Sequence, residues 1–163
     1  MMTNFPTRFG PLDIPDAHRW HSDPPLLGFT QYTSYALLHL HEQGPFLWLQ
    51  SLEEAGVSFL LTEPRHFGLI YEERQIPAQG QATPVVLVMV ILPQAPGQEL
   101  RAHSQAPLLF DTSRRRFHQI ILERAPSVDL SPHQTAMVSE TLRDHCLQLH
   151  RRGDDGSLQV GAA

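Results

Sequence analysis

Lysine is absent from this chain, and all twelve basic side chains are arginine. A phosphate-binding loop that depends on lysine and a Schiff-base mechanism are both excluded at once. Cysteine is almost absent as well. Cys146 stands alone, so no internal disulfide can form, and a reducing compartment is the plain expectation. The longest apolar run, Val85 to Leu92, is far shorter than the roughly 20 residues that cross a bilayer. Met1 to Pro6 has neither a basic start nor a continuous apolar stretch, so the sequence predicts no signal peptide and a cytoplasmic protein. There is no Gly-x-Ser-x-Gly elbow and no His-Glu-x-x-His pair. A net charge of −5 argues against nucleic acid as a direct partner.

Proline and glycine are plentiful instead, with fourteen and ten copies spread along 163 residues. They cut the chain into short segments, the punctuation of a turn-rich β domain. Strands are predicted over Arg8–Ile14, Tyr32–His41, Phe46–Ser51, Ser58–Thr62, Leu69–Tyr71, Glu99–His103, Pro107–Asp111 and Phe117–Leu122. Within Tyr32–His41, Ala36, Leu38 and Leu40 share one face, while Thr33, His39 and His41 share the other. Val85–Leu92 is apolar on both faces and is predicted to be a strand covered on both sides. So many short strands favour closure into a small antiparallel barrel, which removes exposed edges.

After Leu122 the pattern changes. Ser131-Pro132-His133-Gln134 reads as a helix start, and Val138, Leu142, Cys146 and Leu149 recur at helical spacing. The expected organisation is a β domain over 1–126, an amphipathic helix over 127–152 and a frayed tail over 153–163. The helix either docks on the barrel or waits for a partner, and docking is expected. Cys146 lies on its apolar stripe, where an inert thiol is the default. The ten histidines include the close pairs His18/His21 and His39/His41. These read as solvated strand and loop side chains, because a zinc site needs three or four converging ligands.

Charge is unevenly laid out. From Glu42 to Glu73 the chain carries Glu42, Glu53, Glu54, Glu63, Glu72 and Glu73, opposed only by Arg65, whereas Arg114, Arg115 and Arg116 form a basic turn. An acidic face of this kind is either ordinary solvated surface or a means of steering in a basic partner. The arginine turn reads as a soluble hairpin tip.

Three ordered stretches carry a family resemblance. They are Phe9-Gly10-Pro11-Leu12-Asp13-Ile14-Pro15 with Leu26-Leu27-Gly28-Phe29, then Pro45-Phe46-Leu47-Trp48-Leu49-Gln50-Ser51-Leu52-Glu53-Glu54 running on to Pro64, then Ala106-Pro107-Leu108-Leu109-Phe110-Asp111-Thr112 with Gln119-Ile120-Ile121-Leu122. Together they resemble the FliW family of bacterial flagellar assembly factors. The resemblance implies a compact β fold, no catalytic activity, no cofactor and no metal. It implies binding to CsrA, a small basic translational repressor, and to flagellin, with free flagellin releasing CsrA to repress further synthesis. No direct nucleic-acid, membrane or small-molecule partner is expected. Leu26, Leu27, Phe29, Glu53, Glu54, Glu72 and Glu73 are the candidate partner-binding residues. The family's usual Gly-Leu-Pro-Gly-Phe loop reads Pro25-Leu26-Leu27-Gly28-Phe29 here, and its short ending is replaced by the long C-terminal segment. A second reading is a chaperone of the same fold that binds flagellin or another secreted helical protein without regulating CsrA. A third, from the enzyme class, is a histidine-ligated metal hydrolase.

Overall fold

The computed structural model describes residues 1–77, 83–130, 137–151 and 156–161. Met2–Thr7 (β1) and Gly10–Pro15 (β2) form an antiparallel hairpin. Its turn is held by the Thr7 hydroxyl, which donates to the Gly10 carbonyl at 2.7 Å and accepts from the Phe9 amide at 3.0 Å. Trp20–Ser22 (β3), Ser34–Leu40 (β4), Phe46–Ser51 (β5) and Ser58–Thr62 (β6) follow. Leu69–Ile70 (β7), Val85–Ile91 (β8), Arg101–Ala102 (β9), Leu108–Asp111 (β10), Arg116–Gln119 (β11) and Ser127–Val128 (β12) come next. One helical turn, Glu140–Arg143 (α1), precedes Leu147–Arg151 (β13) and Leu158–Val160 (β14).

Seven strands close into a barrel in the order β4-β3-β11-β10-β8-β6-β5, and the pairing of β5 with β4, from Tyr35–Ser51 to Leu38–Trp48, completes the ring. Neighbours in the ring are antiparallel except β3 and β11, which run parallel. Beyond the short β3, the same edge of β4 takes β13 in parallel register, Leu147–Leu38 to Leu149–Leu40, and β14 pairs with β13.

β4 separates two cores. Tyr35 and Leu37 point into the barrel with Trp20, Leu47, Leu49, Leu61, Leu87, Leu108, Phe110 and Phe117. Ala36, Leu38 and Leu40 point outward and are covered by Leu12 and Ile14 of β2 and by Leu147 and Leu149 of β13. The barrel interior is filled by rings. Phe110 and Phe117 stack at 4.9 Å, Trp20 meets Phe110 edge-on at 5.1 Å, and Tyr35 meets Phe117 edge-on at 5.4 Å. Such offset and edge geometries match the ring quadrupoles.

The mainly β barrel agrees with the sequence expectation, but of the amphipathic helix expected over 127–152 the described residues form only the one turn Glu140–Arg143. Its expected start at Ser131–Gln134 lies outside the described residues. The Ser139 hydroxyl caps one turn by accepting from the Leu142 amide at 3.4 Å, and the helix ends at Arg143. The apolar positions were identified correctly: Val138, Leu142, Cys146 and Leu149 are all buried. Their element was not. Leu147–Arg151 also alternates, with Leu147 and Leu149 on the buried side, and β4 beyond β3 offers unpaired backbone groups that a strand can satisfy and a helix cannot. Val138, Leu142 and Cys146 instead close one end of the barrel. Part of the expected frayed tail is ordered too, since Leu158 and Val160 pack on the outer core.

His39 is a further correction. It is 2% exposed, with its two ring nitrogens 2.9 Å from Gln148 Oε1 and 2.8 Å from the Gly44 carbonyl. A strand buried on both faces has no solvated side, which the alternation alone did not reveal.

Leu142 lies in the closing segment and Leu27 outside it. Leu142→Ala is expected to cost about 2–5 kcal/mol of unfolding free energy, and Leu27→Ala about 0.5 kcal/mol or less. Equilibrium urea denaturation compares them, and equal costs would mean that the C-terminal segment does not pack as described.

Candidate functional site

The open end of the barrel opposite α1 is closed by the loop from Asp23 to Thr33. Leu26 is 1% exposed and enters the barrel core, and Phe29 meets Phe59 of β6 edge-on at 4.9 Å. The Phe29 amide donates to the Leu26 carbonyl at 2.9 Å, and Gly28 takes φ +84, the value a type II turn requires at its third position. Leu27 therefore sits at the turn tip and is 70% exposed. Of the three apolar candidates, Leu26 serves packing, Phe29 is shared between core and surface, and Leu27 alone is fully presented.

The β5–β6 connection lies beside this loop. Ser51 Oγ accepts from the Glu53 and Glu54 amides at 3.1 Å each. The fully buried Gln50 side chain donates to the carbonyls of Ser51 at 3.0 Å and Ala55 at 3.1 Å and accepts from the Arg8 amide at 3.2 Å. The acidic turn is thus held from beneath. Glu53 Oε1 accepts from the Thr33 and Ser34 amides at 2.7 Å each, which ties the turn to the end of the Leu26–Phe29 loop. Five of the seven candidate residues converge in this way: Leu26, Leu27, Phe29, Glu53 and Glu54.

Glu72 and Glu73 are placed elsewhere. They begin a short 3-10 segment in which Glu72 accepts from Arg74 at 2.5 Å and Gln75 donates to the Arg124 carbonyl at 3.2 Å. Among the described residues, no hydrogen bond or ion pair joins them to Glu53 or Glu54. The acidic stretch is also less acidic than it reads. Glu42 pairs with Arg151 at 2.7 Å, Glu63 with Arg65 at 2.8 Å and Glu72 with Arg74. Arg151 is more than a hundred residues from Glu42, so no local pattern announced that pair.

At the other end, the α1 segment covers a basic cluster that sequence reasoning missed. Arg115 lies over the Trp20 ring, 4.2 Å from its centroid, and His145 meets the same ring at 6.3 Å. Burial, and then the Arg115 charge, hold both His18 and His145 below the usual histidine range. Burial likewise lowers His66, with Arg65 adding to it. The triple arginine in the turn was the available signal, but nothing in the sequence placed Trp20 beneath it.

Among the described residues, the nucleophile and metal sites considered above are not brought together. Burial pushes the Cys146 thiol up to about 12, and its Sγ donates to the Arg143 carbonyl at 3.4 Å. A thiol so protonated is a poor nucleophile. His39 is spent on Gln148 and Gly44 while His41 stands in the β4–β5 turn, so that pair does not converge. Among the described residues, no three His, Cys, Asp or Glu side chains are grouped to hold a metal ion. No described helix is long and apolar enough to cross a membrane.

Comparison with known proteins agrees with this architecture. The family model described as FliW protein matches residues 5–132. The flagellar assembly factor FliW of Syntrophotalea carbinolica is 29% identical over 126 residues, covering 73% of this chain and 89% of that protein. The flagellar assembly factor FliW of Magnetococcus marinus is 23% identical over 165 residues, covering 95% of this chain and 96% of its own length, a span that takes in most of the C-terminal segment. A crystal structure of the flagellar assembly factor FliW superposes with a TM-score of 0.61 at 22% identity, covering 82% of this chain and 100% of that one, and shows the shared fold.

The lowered histidines predict a pH dependence. Between their folded values and 6.5 the unfolded chain binds protons that the folded chain does not, so stability rises with pH across that window. Stability should be level above 6.5 and fall as the solution is acidified below it. The melting temperature should drop from pH 7.5 to 5.5, and less in a His18→Gln/His145→Gln variant. An equal drop in both proteins would remove these histidines as the cause.

Proposed function

This chain belongs to the FliW family, and we propose that it works as a cytoplasmic flagellar assembly factor that binds and antagonises CsrA and also binds flagellin. The surface we assign to this task is the barrel end carrying Leu27, Phe29, Glu53 and Glu54. The observation that carries the reading is the pair of short bonds from the Thr33 and Ser34 amides to Glu53. They fix an exposed acidic turn against an exposed apolar tip before any partner arrives. A preorganised surface loses little conformational entropy on binding. An apolar anchor beside solvated carboxylates suits a basic protein that also buries apolar side chains.

The relatives' names describe assembly factors, so protein partners are the expected ligands. Binding of two partners to one protein, each weakening the other, is a reciprocal coupling that needs no chemistry. Free flagellin would then displace CsrA, and CsrA would return to its messages. One observation favours the second reading, a flagellin chaperone without CsrA regulation. Three of the six glutamates between Glu42 and Glu73 are already paired with arginines, which weakens the field available to attract a basic client.

Adding flagellin to a preformed complex with CsrA should release CsrA on size-exclusion chromatography. A stable ternary complex counts against displacement, and no complex with CsrA at any salt leaves the chaperone reading. Glu53→Gln/Glu54→Gln should slow CsrA association roughly three- to tenfold at low ionic strength, with the difference shrinking as salt is added. Glutamine keeps the acceptor for the Thr33 and Ser34 amides, so the fold is retained. Glu72→Gln/Glu73→Gln should have a smaller effect, because Glu72 is already paired. Stopped-flow association measures both, and equal effects would show that the field of the whole stretch matters more than this turn.

A further inference from the structure

The β10–β11 turn holds an arrangement that the isolated chain does not satisfy. Among the described residues Arg115 is the one non-glycine residue with positive φ, at +57. That conformation is strained for a side chain with a Cβ, and glycine or asparagine would relieve it. Arg115 nevertheless occupies it, and the turn carries its guanidinium onto Trp20. There Nε and Nη2 are buried without a hydrogen-bond partner, as is Trp20 Nε1. Strain and an unsatisfied cation combined in one residue point to a use outside the folded chain itself.

The neighbouring arginines indicate what is missing. Arg19 pairs with Asp16 at 3.6 Å, Arg114 with Asp111 at 3.9 Å and Arg116 with Asp23 at 3.0 Å. Each has a carboxylate from this chain. Arg115, in their midst, has none among the described residues. A surface cleft of about 420 Å³ opens between these arginines, Trp20, His21 and Ser34. Beside it, burial first and then the Arg115 charge hold His18 and His145 below the usual histidine range.

We propose that this cleft is a carboxylate-binding site for an acidic peptide segment of a protein partner, with Arg115 as the receiving residue. A small rotation off the indole turns the unpaired edge of the guanidinium toward an incoming carboxylate, and the planar fork takes it at two points. The adjoining arginines hold a second acidic side chain of the same segment by exchanging their own exposed pairs, which are individually weak. Single-stranded RNA fits less well. Trp20 is 1% exposed, so no aromatic face is open for a base to stack on. The arginine turn itself leaves the barrel at the other end from the acidic turn, although Ser34, at the rim of the cleft, donates its amide to Glu53. β6 and β10 are both antiparallel to β8 and so run the same way, while the acidic turn precedes β6 and the arginine turn follows β10. The arginine turn and the acidic turn therefore project from opposite ends of their strands.

Isothermal titration of the purified protein with a hexaglutamate peptide, with inorganic phosphate and with hexauridylate tests this. The peptide should bind saturably, and Arg115→Gly should weaken it roughly tenfold or more. Glycine suits the φ of +57, so the variant should fold, and its melting curve checks that. Arg115→Lys keeps the charge without the fork and should fall between the two, while Arg101→Gln on β9 should bind like wild type. Absence of peptide binding, or unchanged binding in Arg115→Gly, overturns the proposal. Equal affinity for phosphate, or preference for hexauridylate, overturns the assignment to an acidic peptide. These titrations contain neither CsrA nor flagellin, so their failure is distinct from a failure of CsrA displacement.

Discussion

Burial of β4 on both faces is the constraint from which the rest of the structure follows. Ser34–Leu40 carries Tyr35 and Leu37 into the barrel and Ala36, Leu38 and Leu40 into the outer core, and three strands pair with its two edges. Its pairing with β5 closes the ring. Its outward leucines require a cover, which is why the β1–β2 hairpin and the β13–β14 pair lie where they do. A strand placed in this way has no position that tolerates an unpaired polar group, so His39 is retained only with both ring nitrogens bonded.

Closing the barrel around Trp20, Tyr35, Phe110 and Phe117 fills its interior with aromatic side chains. That leaves the ends and their loops as the solvent-facing parts, the usual division between a rigid β scaffold and its connections. The two ends are closed by different means. One uses the loop from Asp23 to Thr33, with Leu26 and Phe29 inserted and Leu27 left outside. The other uses Val138, Leu142 and Cys146 from the C-terminal segment. Glu63 links that segment to the barrel by accepting from the Ser139 amide at 2.9 Å, while Arg65 donates to the Met137 carbonyl at 3.1 Å.

The electrostatic character of the surface follows from these placements more than from residue counts. Glutamates that read as one acidic run are divided by the fold into paired and unpaired groups. Glu42, Glu63 and Glu72 are neutralised by arginines, while the Glu53 carboxylate accepts from the Thr33 and Ser34 amides and that of Glu54 from the Gly56 amide at 3.5 Å. Exposed pairs of this type add little to stability. Their effect is on the long-range field, which each pair reduces locally.

By itself the sequence determined the β class, most of the ring strands and the family to which the chain belongs. Phe46–Ser51 and Ser58–Thr62 are found with the expected limits, because apolar runs bounded by glycine and proline have few alternatives. It also marked Val138, Leu142, Cys146 and Leu149 as buried, since burial depends on apolarity in either secondary structure. The choice between helix and strand at Leu147–Arg151 was decided by the free edge of β4, a partner more than a hundred residues away. Tertiary structure alone also separated Leu27 from Leu26, brought Glu53 to Thr33, gave Glu42 its arginine, and set Arg115 over Trp20 without a carboxylate. All but the Leu26–Leu27 turn are long-range pairings, and a periodic pattern records only which side of an element is apolar, never which segment will meet it.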